Sequence, residues 1–569
     1  MEDMVNEEEE PLINIRNPKG GFRTLPFIIA NQAFEKMASF GILPNMILYL
    51  TRHYEMEAAA ATNVILLWSA ATSFTPIVGA FLADSYFGRY LTIVFGSLLS
   101  SLGMLLLWLT ATIPNLSPCD PLNMSCNSPT ISQLAFLYSS LCLISIGAGG
   151  VRASSLAFGI DQLDKEKDAG IIEGYFNWSY ALTAAAVLIG TTILAYIQEN
   201  FGWIIGFGVP VVFMFISMVS LFLASSLYVK VEPKGNVISE CARVVVASYR
   251  NRNHNLPSSN VSNDGLYYRD NDSEMLMPSD KFRFLNKACL IKNPQQDLTQ
   301  DGRLKNQWSL CTIDQVEAFK AIIKIIPIWT TGMIMSINFS QGTFSVLEAS
   351  TMNRNIFSNF EIPAASMSTF MILFTVLWIV LYDCVIIPSA SKLRRSTTRL
   401  RVKQKMGIGL IGICLSTSSL AIVEGKRRKL AIDEGFQDFP QGVVNMSVMW
   451  LLPRQILDGF AEAFNGVGQN EFYICELPQS MSSVASTLSG LGMSIGNVMA
   501  SLILSVVDDV TKGEGKESWV SSNINKGHYD YYYWLLFGLM LANFLAFLCF
   551  SKAYGPCKGE ENESQVEEN

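Results

Sequence analysis

The sequence is poor in charge and in histidine. Only 16% of its 569 residues are Asp, Glu, Lys or Arg, and only three are His. It contains no cluster of His, Cys and carboxylates with the spacing of a metal site, no Gly-x-Ser-x-Gly elbow and no Walker loop. No basic groove that would favour a nucleic acid stands out either. These absences argue against an enzyme, and they lead us to expect no cofactor, no metal and no nucleic-acid partner.

A cleavable signal peptide is also missing, because the N-terminus has no positive segment followed by an apolar one. The chain begins instead with the acidic block "NEEEE" and ends with "GEENESQVEEN", and these blocks account for much of the net charge of −8. Such runs are typical of solvated segments. We therefore predict cytosolic acidic tails over 1–24 and 553–569.

Long apolar runs are abundant. Half of the residues are apolar, and stretches such as 91–111 and 367–382 are long enough to cross a hydrocarbon core of about 30 Å. The pattern predicts an all-α integral membrane protein that has the lipid bilayer as a partner. We place twelve transmembrane helices at 25–50, 62–83, 90–112, 132–154, 174–197, 203–228, 316–338, 364–386, 406–424, 443–466, 484–507 and 530–552.

The polar segment 229–315 divides these spans into two groups of six. The predicted N-terminal half is 25–228, the C-terminal half is 316–552, and the segment between them is a cytosolic linker. Two six-helix halves joined by a long polar linker are typical of the major facilitator fold, in which the substrate site lies near the bilayer midplane between the halves. We expect this fold, although the sequence shows no clear internal repeat.

The orientation follows from the positive charges of the loops. The loop "SKLRRSTTRLRVKQK" (391–405) carries seven Lys or Arg in fifteen residues, which places it in the cytosol together with the linker and both tails. The segment "EGKRRKLAIDEG" (424–435) is basic as well, yet it falls on the outer side. It is the one loop that disagrees with the predicted topology.

A short outer loop combines two cysteines with two glycosylation sequons. Cys119 and Cys126 are seven residues apart, and Asn115 and Asn123 begin Asn-x-Ser sequons in the same loop. Cysteine pairs of this kind are typical of an oxidising compartment. We predict that Cys119 and Cys126 are a candidate disulfide on the non-cytosolic side.

Two motifs resemble known transporter families. "GAFLADSYFGRYLTI", with Asp84, Gly88 and Arg89, resembles the cytoplasmic loop motif of major facilitator transporters in the form typical of proton-dependent oligopeptide transporters. "GAGGVRASSLAFGIDQLD", together with "YFNWSY" and "INKGHYDYYYW", resembles the plant nitrate/peptide transporter family (NPF). The similarity runs from about residue 20 to 552 and is greatest to the first subfamily, which includes nitrate transporters. The resemblance implies a secondary active transporter.

The motif "NQAFEK" (31–36) places polar residues inside the first predicted span. Gln32, Glu35 and Lys36 are spaced i, i+3, i+4 and share one helix face. The resemblance implies the pattern Glu-x-x-Glu-Arg/Lys at this place and ties it to proton coupling. Gln32 departs from that pattern, because an amide hydrogen-bonds but does not titrate. We expect Glu35 and Lys36 to take part in proton coupling, with half of the acid pair lost.

Other polar residues in the spans supply candidate partners. Arg152 lies in the fourth span, where an unpaired Arg costs about 2.5–3.5 kcal/mol. Glu471 resembles the family's tenth-helix glutamate and is expected to pair with Lys36 or Arg152. Asp458 and Glu462 face the cavity or only pack locally, and the sequence leaves both alternatives open.

The expected substrate is a small anion. In peptide carriers of the resembled family the first helix continues into tyrosines that line the peptide site, whereas this chain has Ser39 and Phe40. Some nitrate carriers place a His on the seventh helix, and Phe339 takes that place here. The predicted substrate-binding residues are therefore Arg152, Asn338, Phe339 and Gln341.

We expect proton-coupled symport by alternating access, with nitrate as the first candidate. The alternatives that the sequence leaves open are a pH-independent facilitator or sensor for nitrate, and a transporter of a plant hormone or a small peptide. The plasma membrane is the expected location. The segment "EEEEPLI" resembles an acidic dileucine sorting signal, so the tonoplast is the alternative location. The oligomeric state is not predicted.

Overall fold

The computed structural model describes residues 20–116, 118–120, 125–126, 129–163, 169–231, 237–253, 267–269, 277–292, 298–299, 304–306, 308–357, 360–394, 400–478, 481–513 and 517–557. Most of both acidic tails, much of the linker, Asn123 and part of the basic loop (395–399) lie outside these residues.

The described residues are mostly α-helical. The helices of the predicted N-terminal half are α1 (Leu25–Ile42), α2 (Met46–Arg52), α3 (Ala58–Leu82), α4 (Arg89–Thr112), α5 (Ile131–Ile160), α6 (Ala169–Ile189) and α7 (Ala195–Leu223). The linker contains α8 (Val237–Arg250). The helices of the predicted C-terminal half are α9 (Ile313–Phe339), α10 (Gly342–Ser350), α11 (Met367–Leu381), α12 (Ile387–Arg394), α13 (Val402–Asp433), α14 (Leu452–Ala461), α15 (Val467–Glu476), α16 (Ser482–Thr511) and α17 (Tyr529–Tyr554).

The strands of the described residues are short. All but the last lie in the predicted outer loops, and the last lies at the start of the predicted tenth span. They are β1 (Cys119–Asp120), β2 (Ser125–Cys126), β3 (Met352–Asn353), β4 (Asn355–Phe357), β5 (Phe360–Glu361) and β6 (Val444–Ser447). β1 pairs with β2 and β4 with β5, both antiparallel, and β3 pairs with β6 in parallel.

Nine helices of the described residues are long and apolar enough to cross a membrane. One of them, Trp178–Leu223, covers both the fifth and the sixth predicted span, which meet at Gly202 with φ +80°. The nine therefore account for ten of the twelve predicted spans. The first and tenth spans are not among them, because α1 contains the polar residues of "NQAFEK" and because α14 and α15 carry several charged residues.

The basic segment 424–435 is not the outer loop that the sequence predicted. α13 extends to Asp433, so that Glu424 and Arg427 lie one helical turn apart inside it. Both are fully buried, and the guanidinium of Arg427 donates to the two carboxylate oxygens of Glu424 at 2.7 and 2.8 Å. Arg428 donates to the Gly527 carbonyl at 2.7 Å. The Arg427 charge is neutralised by Glu424 within the protein, so Arg427 is not a loop cation of the kind that the loop-charge rule counts.

The glycines of "GAGG" allow α5 to lie directly against its neighbours. A Cβ at Gly147 would lie 2.3 Å from the Ser100 nitrogen on α4, and one at Gly149 would lie 2.5 Å from Thr75 on α3. Larger side chains would push the helices apart. This packing holds the next turn of α5, which carries Arg152, in a fixed position.

Candidate functional site

The first polar residue of "NQAFEK" is structural. Asn31 is buried, and its amide donates to the hydroxyl oxygens of Ser97 on α4 and Ser217 on α7, at 3.1 and 2.8 Å. The Ser217 hydroxyl donates in turn to the Asn31 carbonyl at 2.9 Å. Asn31 therefore fastens α1 to two neighbouring helices.

A buried ion pair lies one turn further along α1. Arg152 on α5 donates to both carboxylate oxygens of Glu35, at 3.0 Å from Nη2 and 3.3 Å from Nε. The Ser39 hydroxyl also donates to Glu35, at 2.7 Å. The Glu35 side chain is fully buried and that of Arg152 is 15% exposed. Two charges with little access to water satisfy each other here, as a bidentate arginine–carboxylate pair does best.

Lys36 adds a second cation to this pair. The Lys36 ammonium and the Arg152 guanidinium each lie 5.3 Å from the centre of the Phe40 ring, whose face attracts cations. Within the described residues, no carboxylate lies within 4.0 Å of the Lys36 nitrogen. When Glu35 is ionised, the group therefore holds one negative and two positive charges. We call Glu35, Lys36, Phe40 and Arg152 the cation pair site.

Gln32 faces a neighbouring helix. Its side-chain oxygen accepts a hydrogen bond from the Ser179 hydroxyl on α6 at 3.1 Å. A hydroxyl donor suits an amide oxygen as well as a carboxylate. Gln32 therefore links α1 to α6 through a group that does not titrate.

Glu471 does not have the predicted partner. It accepts from Lys405 of α13 at 2.7 Å, and its side chain is 38% exposed. No bond to Lys36 or Arg152 is formed among the described residues. The expected pairing across the bundle is replaced by one within the C-terminal half, because α13 carries a lysine next to α15.

The predicted substrate residues of the C-terminal half are largely engaged elsewhere. The Asn338 amide donates to Asp458 at 3.1 Å, and its oxygen accepts from Thr417 at 2.9 Å. Gln341 is buried and donates to the Ile337 carbonyl at 3.0 Å. Phe339 is half-buried against the hydrophobic core. These contacts do not bring the three residues to Arg152, and they show that Asp458 packs within the bundle.

Sequence reasoning missed a buried charged network in the outer part of the C-terminal half. Glu348 accepts a hydrogen bond from Tyr533, and Arg454 bonds Asp458 at 3.2 Å and Ser345. The pairs Glu424/Arg427 and Arg454/Asp458 are spaced i, i+3 and i, i+4. An acid and a base at that spacing share one face of a helix, and this is a signal that could have identified both pairs.

The loop motif acts as a latch between helices. Gly88 has φ +76°, a conformation that favours glycine, and α4 begins at the next residue. Arg89 bonds Asp161 at the end of α5 at 2.7 Å and lies 3.4 Å from Asp84. The motif joins the predicted inner ends of α3, α4 and α5.

The two halves meet at their predicted outer ends. Arg354 bonds Glu199 of the other half and, at 2.6 Å, Glu361 of its own. Lys512 lies 3.4 Å from Glu57 of the other half. Between described residues, these are the two ion pairs that join the halves, and both are at the outer end. This conformation is closed toward the predicted outside.

Comparison with known proteins identifies the family of the chain. The family model described as the POT family matches residues 90–520. The chain belongs to the POT family. Protein NRT1/ PTR FAMILY 1.2 of Arabidopsis thaliana is 49% identical over 100% of this chain and 95% of that protein. Protein NRT1/ PTR FAMILY 1.1 of the same plant is 49% identical over 97% of this chain and 95% of its own length. The resemblance to the first NPF subfamily is confirmed.

Solved structures show the fold. The crystal structure of the POT family transporter PepTSo has a TM-score of 0.68 at 18% identity and covers 94% of this chain and 98% of its own. That of an auto-inhibited POT family peptide transporter has a TM-score of 0.64 at 18% identity, over 94% and 96%. These structures show the major facilitator fold. Membership of the POT family shows that the chain is a multi-pass membrane transporter and not an enzyme. Groups of three or more metal-ligating side chains are absent from the described part of the chain.

The disulfide of this POT-family chain stays a prediction. Cys119 and Cys126 lie directly opposite each other in the β1–β2 pair. Directly opposed strand residues have the spacing that a disulfide needs.

We expect that removing Glu199 loosens the outer closure of this transporter. Glu199→Gln leaves Arg354 with only Glu361, on its own half, so the salt bridge between the halves is lost. Hydrogen exchange of the purified protein should become faster in peptides covering 195–200 and 352–362. Glu361→Gln is the matched control, because it keeps the bond between the halves. Equal exchange in the two variants would contradict the role of Glu199.

We expect His528 to make the stability of the folded protein depend on pH. Its ring bonds Arg428 at 3.2 Å, and burial, then Arg428, lowers the pKa of the His528 imidazole. The unfolded chain then binds more protons than the folded one just below about pH 6.5, so stability falls as the pH drops through that range. The unfolding temperature of wild type should fall more between about pH 7.5 and pH 5.5 than that of His528→Gln. Parallel curves would show that His528 does not contribute.

Proposed function

We propose that the chain is a proton-coupled symporter of a small anion, with nitrate as the first candidate, working by alternating access. The observation that carries the proposal is the charge of the cation pair site. Glu35 balances one of the cations Lys36 and Arg152, and the other has no carboxylate partner among the described residues. A buried excess of positive charge is unfavourable unless an anion neutralises it.

The proposed cycle uses the Glu35–Arg152 pair as the coupling device. Ionised Glu35 holds Arg152. A proton that binds the Glu35 carboxylate removes its charge and frees the guanidinium to hold the anion together with Lys36. Proton and anion thus favour the same state and cross together. The coupling requires that both bind the two conformations with different affinity.

The halves would exchange access by opening the outer ion pairs. Arg354 to Glu199 and Lys512 to Glu57 hold the outer end in the present conformation. In the alternate conformation these pairs separate and the inner ends approach. In the present conformation Glu471 bonds Lys405. In the alternate conformation Glu471 leaves Lys405 and approaches Arg152 or Lys36, as the family resemblance implies. Glu35 and Glu471 are the proton-coupling residues of the proposal.

One observation favours the alternative of a pH-independent facilitator. Gln32 occupies the place of the expected acid and bonds Ser179 without titrating. A facilitator would keep Glu35 ionised through the cycle and bind the anion at Lys36 alone. The two proposals differ in whether protons move with the anion.

Two side chains of α1 near the cation pair site already have partners, and this favours a small substrate. Ser39 is bonded to Glu35, and Phe40 packs under both cations, at the positions where peptide carriers are expected to present tyrosines. A peptide would need other partners. An apolar carboxylate such as a plant hormone would meet the same cations, and only its size distinguishes it from nitrate.

The experiment is an uptake panel in oocytes. Labelled nitrate, a dipeptide and a gibberellin are each supplied at about pH 5.5, where protons drive inward symport. Water-injected oocytes and the Lys526→Gln variant, altered at an exposed ion pair with Asp438 inside the C-terminal half, are the controls. Nitrate uptake well above both other compounds is expected. Uptake of only the dipeptide or only the gibberellin would contradict nitrate as the substrate, but it would not contradict the role of the cation pair site.

The membrane that contains the protein is part of the proposal. We infer the plasma membrane and keep the tonoplast as the alternative. Fluorescent fusions of the wild type and of Leu12→Ala, which alters the leucine of "EEEEPLI", are expressed in plant cells to distinguish the two. Fluorescence at the cell surface for both proteins would support the plasma membrane. Wild-type fluorescence at the tonoplast that moves to the cell surface in Leu12→Ala would support the alternative.

A further inference from the structure

The linker helix α8 has two different faces. Its buried face includes Val244 and Ala247, which pack against Leu285, Ala288 and Val316 of the linker and α9. Its other face is exposed and largely apolar. This stripe consists of Ala242, Val245 and Tyr249, spaced i, i+3, i+7, and Val245 and Tyr249 are 48% and 67% exposed.

Three arginines lie beside the stripe. Arg243 and Arg250 follow it on one side of the helix wheel, and Arg252, just beyond the helix end, lies 4.4 Å from the ring centre of Tyr249. Between described residues, no carboxylate forms an ion pair with any of the three. Arg250 and Arg252 are exposed and available to a partner from outside, whereas Arg243 is half-buried, with a buried Nε.

An aromatic side chain widens this surface. Trp308 is exposed, and Arg243 lies 5.9 Å from the centre of its ring. Aromatic rings beside cations and an apolar stripe are typical of segments that lie in the headgroup region of a bilayer.

The position of α8 fits that region as well. It packs against Val316, Phe319 and Ile323 in the first turns of α9. The last charged residue of these turns is Lys324, and an apolar run follows from Ile325 to Phe339. In the predicted orientation, α8 therefore lies beside the part of α9 that is level with the inner headgroups.

We propose that the exposed face of α8 is a docking surface for the anionic phospholipids of the inner leaflet. The apolar stripe and Tyr249 enter the boundary between headgroups and acyl chains, and Arg243, Arg250 and Arg252 bind lipid phosphates and carboxylates. Docking fixes the linker, and with it the inner end of α9, to the membrane surface. The proposal is independent of the transported substrate.

The test is photo-crosslinking in the full-length protein. Tyr249→p-benzoylphenylalanine is reconstituted in nanodiscs of phosphatidylcholine alone or of phosphatidylcholine with phosphatidylserine, and adducts are identified by mass spectrometry. We expect phosphatidylserine adducts at position 249, with a yield that falls several-fold when Arg243, Arg250 and Arg252 are all changed to Gln. The elution profile on size exclusion checks that each variant is folded.

Neutralising the same number of cations elsewhere in the linker is the matched control. Changing Lys281, Lys292 and Lys305 to Gln should leave the yield of phosphatidylserine adducts unchanged. Three results would overturn the proposal: no lipid adduct, crosslinks to another protein segment only, or lipid adducts that are indifferent to phosphatidylserine and to the three arginines.

Discussion

Arg152→Gln is expected to reduce uptake to the level of uninjected cells. The substitution leaves Glu35 fully buried without its bidentate partner, and it removes one of the two cations of the cation pair site. Breaking a buried ion pair by removing one partner costs about 3–5 kcal/mol. We therefore expect a lower unfolding temperature together with the loss of transport, measured by thermal unfolding in detergent and by labelled uptake.

A double variant separates stability from function. In Glu35→Gln/Arg152→Gln neither residue leaves an unpaired buried charge, so part of the lost stability should return while transport stays absent. The exposed pair Glu57 and Lys512 provides the stability control, because Lys512→Gln should leave the unfolding temperature almost unchanged. Transport by the double variant at the wild-type rate would refute the role of this pair.

Gln32→Glu is expected to make uptake depend more steeply on pH. The new carboxylate lies one turn from Glu35 on the same face of α1 and keeps the Ser179 hydroxyl as a donor. A second acid near Glu35 must also be protonated or paired before the anion binds, because like charges oppose each other's ionisation. The ratio of uptake at about pH 5.5 to that at about pH 7.5 should rise above the wild-type ratio.

Gln32→Ala is the control for that comparison. It removes the bond to Ser179 without adding a titratable group, so its pH ratio should equal that of wild type even if its rate is lower. A Gln32→Glu ratio no higher than the wild-type ratio would show that position 32 has no access to the coupling step.

The helices were predictable where apolar residues alone define them. The spans in α3, α4 and α5 follow directly from long runs that match the thickness of a bilayer. α1 and α14 carry polar residues for specific contacts. Their spans were placed by counting apolar blocks, but neither is among the helices apolar enough to cross a membrane. The end of α13 was misplaced because Arg427 looks like a loop cation until its buried partner Glu424 is known.

Part of the candidate site could likewise be predicted from the sequence, and part could not. The spacing of Glu35 and Lys36 alone places them on one helix face. An arginine within a span, such as Arg152, needs a partner. The charged members of the cation pair site could therefore be predicted from the sequence. The partner of Glu471 was not, since Lys405 lies 66 positions earlier in the chain and meets it only in the folded bundle. The engagement of Asn338 by Asp458 and Thr417 likewise depends on how three helices pack.

The central claim is that a proton moves with the anion, and simultaneous current and flux measurement tests it most directly. Oocytes expressing the wild type are held under two-electrode clamp and given labelled nitrate at about pH 5.5 and about pH 7.5. The account predicts an inward current together with uptake, both larger at acid pH, because Glu35 and Glu471, the two proton-coupling residues of the proposal, each bring in a proton with one nitrate. Uptake that ignores pH, or that carries an outward current, would contradict it and make the protein a facilitator.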